Sequence, residues 1–182
     1  MIRPLAGVKV LDFSTLLPGP VCTLVLAEAG ADVLKIERPG VGDEMRTYTP
    51  KFGADSVNFA LLNRGKRSIA LDLKKGDSIE KLTPLIESAD VVVEQFRPGV
   101  MERLGLGPEV AMKRNPKLVY GRMTGWGQDG PLAPRAGHDL GRAGLRQPDR
   151  TALLRRSRRV RAGRRCGVAG GAGAGGRRRC AW

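Results

Sequence analysis

The sequence lacks the features that mark several common classes of protein. Its three cysteines, Cys22, Cys166 and Cys180, match neither the spacing of a metal site nor that of a redox pair. No apolar run approaches the roughly 20 residues that a membrane-spanning helix needs. The first residues contain no apolar stretch typical of a secretory signal, so we expect a cytoplasmic protein. Cys22 lies in an apolar stretch, so we expect it in the core. These absences argue against a disulfide-rich, secreted or membrane-spanning protein.

Acidic residues are scarce in the last quarter of the chain. The 182 residues include 32 Lys and Arg against 18 Asp and Glu, a formal net charge of +14. Residues 1–138 are nearly balanced, whereas residues 139–182 hold 13 arginines, no lysine and only two acids, Asp139 and Asp149. The basic composition that can indicate a polyanion partner is therefore a property of this last segment alone.

Short apolar runs alternate with helical patterns over residues 5–138. Five runs predict buried strands near 7–13, 31–37, 67–73, 90–95 and 117–123. Helices are predicted over 21–30, 78–90 and 108–115. The second helix has one apolar face, formed by Ile79, Leu82, Leu85 and Ile86. This alternation predicts an α/β domain with a mainly parallel sheet.

The loops after the strands are where such a sheet binds ligands. The turn after the first strand, "STLLPGPVCT", lacks the glycine spacing of a nicotinamide site, and no Walker loop is present, which argues against a dinucleotide oxidoreductase. Glu37 ends the second strand, where a ribose-binding acid would lie, and without the glycines we interpret it as a solvated charge. Arg38 and Arg97 each precede Pro-Gly, a stiff turn that suits phosphate binding. Two ordinary surface arginines are the alternative, and such short motifs alone favour it.

Four blocks occur in order along the chain: "GVKVLDFSTLLPGPVCTLVLAEAGADVLKIERPGVGDEMR", "NRGKRSIALDLK", "ADVVVEQFRPGVMERLGLGPE" and "LVYGRMTGWGQDGPLAPRAGHD". Over about residues 3–139 they resemble the N-terminal part of the family III CoA-transferases, a family that includes α-methylacyl-CoA racemases. The resemblance implies a Rossmann-like parallel sheet, forming an incomplete coenzyme A-binding domain over residues 1–139. It implies an acyl-CoA substrate whose coenzyme A is part of the thioester, no permanently bound cofactor and no metal. Intact members form an interlocked homodimer.

The resemblance also implies which residues contact coenzyme A. Eight positions match contacts of the family: Leu16, Leu17, Arg38, Leu71, Lys74, Phe96, Arg97 and Arg103. Cationic side chains suit the phosphates of coenzyme A, and apolar side chains suit its purine and its long arm. Each position keeps a structural alternative, since Leu71 could belong to a strand core and Arg103 could be a solvated helix residue.

His138, the single histidine, lies in "AGHD". It resembles the histidine of the racemase branch, which exchanges the proton on the carbon next to the thioester. An imidazole suits this role because it titrates near neutral pH and can both take and return a proton. Members that transfer CoA carry an aromatic residue here and use an aspartyl nucleophile from a later segment. We therefore expect racemisation of 2-methylacyl-CoA thioesters, with CoA transfer between carboxylic acids as the alternative.

Residues 140–182 depart from the family pattern. The later segment, with the aspartate that serves as second proton-transfer group or nucleophile, is missing, so an inactive, truncated coenzyme A-binding fragment is a third interpretation. The Arg, Gly and Ala composition is typical of a GC-rich gene translated out of frame, and a genuine basic tail is the alternative. We expect a mostly unstructured tail with no specific nucleic-acid or membrane partner, because its arginines repel one another and its apolar surface is small.

Overall fold

The computed structural model describes residues 2–135 and residue 137. His138 and the tail over residues 140–182 lie outside the described residues. The expectations for the tail, and for a domain boundary near residue 139, therefore stay predictions.

The described part contains seven strands and five α-helices. The strands are β1 (Lys9–Asp12), β2 (Asp32–Glu37), β3 (Lys51–Phe52), β4 (Asp55–Ser56), β5 (Arg67–Ala70), β6 (Val91–Glu94) and β7 (Val119–Arg122). The α-helices are α1 (Pro18–Glu28), α2 (Val57–Asn63), α3 (Gly76–Ser88), α4 (Val100–Arg103) and α5 (Pro108–Arg114). A 3-10 helix spans Glu44–Thr47.

Five of the strands form one parallel sheet in the order β5-β2-β1-β6-β7. Leu11 of β1 pairs with Leu34 of β2 on one side and with Val92 of β6 on the other. The strand order reverses at β1, as in doubly wound Rossmann-like folds. The prediction of an α/β, Rossmann-like parallel sheet is confirmed, and all five predicted strands are present. The separate antiparallel hairpin of β3 and β4, and the helix α2 that follows it, were not predicted.

The two faces of the sheet carry separate apolar clusters, because successive side chains of a strand point to opposite faces. On the face covered by α3, α4 and α5, here called the α3 face, the buried cluster includes Leu11, Val92, Leu82, Met101 and Ala111. On the opposite face, the α1 face, a smaller cluster of Val10, Ala31, Val33 and Val93 packs against Leu26 and Ala27 of α1.

Helix α3 buries the apolar stripe that the sequence predicts. Leu82 and Ile86 are buried in the core of the α3 face, and Ile79 and Leu85 pack against it. The helix continues through Pro84, whose ring removes one backbone hydrogen bond. The free energy gained by burying the apolar stripe therefore outweighs the cost of a proline inside the helix.

Helix α1 begins three residues before its predicted start, at Pro18, whose fixed φ suits a first helical turn. It ends ahead of Gly30, whose φ of +105° would strain any other residue. The prediction that Cys22 lies in the core is wrong, because Cys22 is on the exposed side of α1 beside Val21, while Thr23 faces the sheet.

None of the helices in residues 2–135 is long and apolar enough to span a bilayer. The longest of them, α3, has 13 residues. The cytoplasmic location expected from the sequence stays a prediction.

Candidate functional site

A cavity of about 390 Å³ lies at the carboxyl edge of the sheet, where parallel α/β sheets bind ligands. The ends and following loops of β1, β2, β5 and β6 line it. Its apolar wall consists of Phe13, Ile36, Leu71, Leu73, Phe96, Val100 and Leu104. Its other lining residues are Thr15, Glu37, Arg38, Gly42, Glu44, Asp72 and Lys74. The cavity therefore combines a broad apolar wall with charged groups of both signs.

Two cations of the lining, Arg38 and Lys74, are available to a ligand. Both side chains are exposed, and neither forms an ion pair with another described residue. Asp72 Oδ1 accepts a hydrogen bond from the backbone N–H of Lys74 at 3.1 Å, which stabilises the turn that carries Lys74. A guanidinium and an ammonium beside an apolar wall suit a ligand with both phosphate and apolar groups.

The loop after β1, residues 14–17, is held by buried side chains. Leu16 has a φ of +61°, a left-handed conformation that costs a leucine roughly 1–2 kcal/mol. The Leu16 N–H donates a hydrogen bond to Asp43 Oδ1 at 3.1 Å. Lys35 Nζ donates to the Ser14 carbonyl oxygen at 2.6 Å and forms an ion pair with Asp43 Oδ2 at 3.0 Å. The surrounding structure thus supports a backbone conformation that leucine rarely adopts.

The N-terminus of α1 differs from the phosphate cradle of a dinucleotide site. Pro18 and Pro20 have no N–H group, so they remove two of the donors that a phosphate would need there. Gly19 lies so close to Ser14 and Gln95 that a side-chain carbon at this position would overlap both side chains. The glycine at position 19 therefore serves close packing of the β1 loop against α1.

Glu37 is buried, so its interpretation as a solvated charge is wrong. Arg46 donates two hydrogen bonds to its carboxylate, at 2.7 and 2.8 Å, and Ser68 Oγ and the backbone N–H of Asp43 donate two more. Burial by itself would raise the pKa of Glu37, but these hydrogen bonds outweigh it and lower that pKa to about 2. The hydrogen bonds with Glu37 also raise the pKa of Arg46. Both oxygens of Glu37 are thus engaged within the protein.

A buried cation, Lys66, lies beside Asp12 under α1. Lys66 Nζ is 3.4 Å from Asp12 Oδ2, and it donates hydrogen bonds to Thr23 Oγ1 at 2.8 Å and to Asn63 Oδ1 at 3.0 Å. Thr23 Oγ1 in turn donates to Asp12 at 2.5 Å. Burial lowers the pKa of Lys66, while the charge of Asp12 opposes that change. This network joins β1, α1 and α2.

The loop after β6 is held in a similar way by Glu94, a buried carboxylate. It accepts hydrogen bonds from the Phe96 N–H at 2.7 Å and from Arg122 Nε at 3.0 Å. Burial raises the pKa of Glu94 against the effect of these two donors. Gln95 Nε2 donates to the Thr15 carbonyl oxygen at 2.6 Å, which joins this loop to the loop after β1.

Four of the eight predicted coenzyme A contacts line the cavity: Arg38, Leu71, Lys74 and Phe96. The other four lie outside its lining: Leu16, Leu17, Arg97 and Arg103. Arg97 follows β6 and Arg38 follows β2, so both belong to the carboxyl edge of the sheet. Of the two arginines, only Arg38 lines the cavity. Contact with coenzyme A stays a prediction for all eight residues.

The predicted base His138 lies outside the described residues, but its neighbour Gly137 is described. Gly137 packs against Gly125, and a side-chain carbon on either glycine would overlap the backbone of the other. Gly125 belongs to the loop after β7. The residue that precedes His138 is therefore held against a loop at the carboxyl end of a strand of the main sheet.

Comparison with the models of known protein families shows the family of this chain. The family model described as CoA-transferase family III matches residues 5–143 of the 182. This chain belongs to CoA-transferase family III. The match extends slightly beyond residue 139, where the resemblance in the sequence ends.

In the described residues, no group of three or more His, Cys, Asp or Glu side chains is arranged to hold a metal ion.

Relatives within CoA-transferase family III carry names of two reaction types. The human succinyl-CoA:glutarate CoA-transferase is 42% identical over 139 residues, which cover 76% of this chain and 32% of that protein. The mouse α-methylacyl-CoA racemase is 44% identical over 136 residues, which cover 75% of this chain and 32% of that protein. A crystal structure of the Mycobacterium tuberculosis protein Rv3272 aligns with a TM-score of 0.74 at 43% identity, over 80% of this chain and 40% of that one. The chain thus spans about a third of the length of these curated relatives.

Two residues that support the loop after β1, Lys35 and Asp43, were not predicted from the sequence. One signal was available, because Lys35 lies two residues after Val33 on a strand and so shares the face on which Val33 is buried. No local signal indicated Asp43, whose partners Leu16 and Lys35 are 27 and 8 positions away in the sequence.

Proposed function

We propose that the chain binds the coenzyme A moiety of an acyl-CoA substrate in the cavity at the carboxyl edge of the sheet. One observation carries the proposal: Arg38 and Lys74 border an apolar cavity, and neither has an ion-pair partner among the described residues. Coenzyme A offers phosphates for these cations and a purine for the apolar wall. Family membership supports the proposal, because the human and mouse relatives are named for reactions of CoA thioesters.

The reaction that we propose is racemisation of 2-methylacyl-CoA thioesters, with His138 as the base. The motif "AGHD" and the similarity to the mouse racemase support it. A thioester carbonyl acidifies the proton on the adjacent carbon, so a neutral imidazole can remove that proton and return it. Removal and return on one face need only this group, whereas inversion also needs a proton donor on the opposite face.

CoA transfer between carboxylic acids is the alternative, and the similarity to the human succinyl-CoA:glutarate CoA-transferase favours it. That reaction uses a carboxylate nucleophile, which attacks the thioester and releases the thiol of coenzyme A.

Isothermal titration of the full chain with coenzyme A tests the binding site. Arg38→Gln and Lys74→Gln should each raise the dissociation constant roughly tenfold, because each removes a charge-assisted hydrogen bond to phosphate. Lys75→Gln is the matched control, since Lys75 is exposed beside Lys74 but does not line the cavity. Titration with dephospho-coenzyme A, which lacks the 3′-phosphate, reveals which cation binds that phosphate. The variant that lacks this cation should bind dephospho-coenzyme A nearly as well as the unaltered chain does. Equal affinities of all variants for coenzyme A would contradict the site.

Deuterium exchange distinguishes the reactions. The chain is incubated in D₂O with one enantiomer of a 2-methylacyl-CoA, with and without an added free carboxylic acid. Racemase chemistry predicts deuterium at C2 that His138→Ala abolishes, whereas transferase chemistry predicts a new thioester of the added acid. Coenzyme A binding without either product would support an inactive coenzyme A-binding fragment and contradict both reactions for this chain.

A further inference from the structure

Leu16 is the one described residue other than glycine with a positive φ. A leucine keeps that conformation only where its surroundings hold it, and such strained positions are concentrated near functional sites. Leu16 lies directly after Thr15, which lines the cavity. The backbone of this loop therefore decides where a lining residue lies.

The Lys35–Asp43 ion pair holds the backbone on both sides of Thr15, the residue before Leu16. Asp43 accepts the Leu16 N–H, and Lys35 donates to the carbonyl oxygen of Ser14, two residues earlier. The side chains of Lys35 and Asp43 are only 1% and 0% exposed, so water does not compete for these contacts. The pair thus fixes one donor and one acceptor of the loop from the same buried position.

The same pair also joins strand β2 to the loop that follows it, and both contribute residues to the cavity lining. Lys35 precedes Ile36 on β2, and Asp43 lies between Gly42 and Glu44, all three of which line the cavity. A buried ion pair is a weak source of stability, because the cost of removing two charges from water offsets their attraction. An apolar pair at the same positions could not make the two directional hydrogen bonds with the loop after β1.

We propose that Lys35 and Asp43 are positioning residues, which set the loop after β1 in the conformation that binds coenzyme A. This inference rests on the proposed function. Without the pair, Leu16 relaxes towards an ordinary negative φ, and Thr15 leaves its position in the cavity wall. Binding of coenzyme A then weakens although the sheet remains folded.

Two double variants of the full chain test the inference. Lys35→Met/Asp43→Leu removes both charges without leaving either unpaired, so the sheet should stay folded. The free energy of unfolding should still fall, because the Leu16 N–H, the Ser14 carbonyl oxygen and the Met45 N–H lose their side-chain partners. The variant removes both contacts with the loop, and the dissociation constant for coenzyme A should rise roughly tenfold. Lys35→Met/Asp43→Asn keeps a side-chain oxygen for the Leu16 N–H, so it should recover much of the lost affinity.

The surface pair Asp32–Arg67 supplies the matched control. Arg67 Nη2 lies 2.5 Å from Asp32 Oδ2, and the pair joins the amino ends of β2 and β5, away from the cavity edge. Asp32→Leu/Arg67→Met makes the corresponding exchange there and should leave coenzyme A affinity unchanged. An equal loss of affinity in this control would overturn the positioning role, because the effect would then not depend on the loop.

Amide hydrogen exchange at Leu16 separates the positioning role from the proposed function. Protection at Leu16 should fall in Lys35→Met/Asp43→Leu and persist in Lys35→Met/Asp43→Asn. Unchanged protection in the first variant overturns the positioning role. Loss of protection with unchanged coenzyme A affinity overturns the link from the loop to binding. If the unaltered chain binds no coenzyme A, the proposed function fails, and the ligand part of this inference fails with it.

Discussion

The two faces of the sheet differ where they approach the carboxyl edge. On the α3 face, β1 continues from Leu11 to the apolar Phe13, and both belong to the core. On the α1 face, Val33 of β2 is followed by Lys35 and Glu37, which are charged and also buried. The difference shows that apolar packing holds the sheet together, while ion pairs and hydrogen bonds fix the loops beside the cavity.

This division has a physical reason. Apolar contacts are not directional, so they allow small shifts of a loop without much loss of free energy. Hydrogen bonds to buried charges depend steeply on distance and angle, and an unmade bond there is costly. The polar network around Lys35, Glu37 and Lys66 on the α1 face therefore contributes geometry, and we expect it to respond to charge removal and to pH in ways that the apolar core of the α3 face does not.

The largest expected effect comes from breaking a buried pair on the α1 face. Lys66→Met leaves the Asp12 carboxylate buried without its cation, which should lower the free energy of unfolding by roughly 4 kcal/mol. Arg67→Met, at an exposed pair with Asp32, should cost less than about 1 kcal/mol. Urea denaturation at neutral pH measures both. Similar small losses in the two variants would mean that the Lys66 network is not buried as described.

The next effect is a pH dependence that belongs to Glu37. Its pKa of about 2 in the folded chain lies below the ordinary 4.5, so its stabilisation is complete above about pH 4.5 and is lost as the pH falls towards 2. The difference in unfolding free energy between the unaltered chain and Glu37→Gln should shrink by about 3 kcal/mol between pH 5 and pH 2. Urea denaturation across this range measures it. A difference that stays constant with pH would contradict the assigned pKa.

The smallest expected effect concerns the apolar core of the α3 face. Ile86→Val removes one methylene from the core of the α3 face and should cost about 1 kcal/mol. The cost should be the same at pH 5 and pH 3, since the buried cluster to which Ile86 belongs consists of apolar side chains. A marked pH dependence of this cost, measured by the same urea denaturation, would show that the two faces are coupled.

The fold was predictable from local patterns where those patterns match the final burial. Each strand of the main sheet lies within one of the short segments predicted as strands, and α3 has the helical spacing of Leu82 and Ile86. The hairpin and α2 were missed because their signals are weak: β3 and β4 have two residues each and α2 has seven. Two-residue strands have too few positions to establish a periodicity, and α2, unlike α5 of equal length, begins without a proline in its first turn.

The candidate site was only partly predictable, because its charges act over long separations in the sequence. The motif around Arg38 and the block around Lys74 led to two residues that line the cavity. Glu37 and Cys22 were misjudged, since their burial depends on Arg46 and on which side of α1 faces the sheet. A charged residue in a strand looks solvated until its partner is known.

A crystal structure of the full chain with coenzyme A tests the central claim most directly. We expect the nucleotide part in the cavity, with phosphate oxygens within hydrogen-bond distance of Arg38 and Lys74 and with Leu16 still at positive φ. Coenzyme A bound at another surface, or bound in this cavity without contact to either cation, would contradict the account.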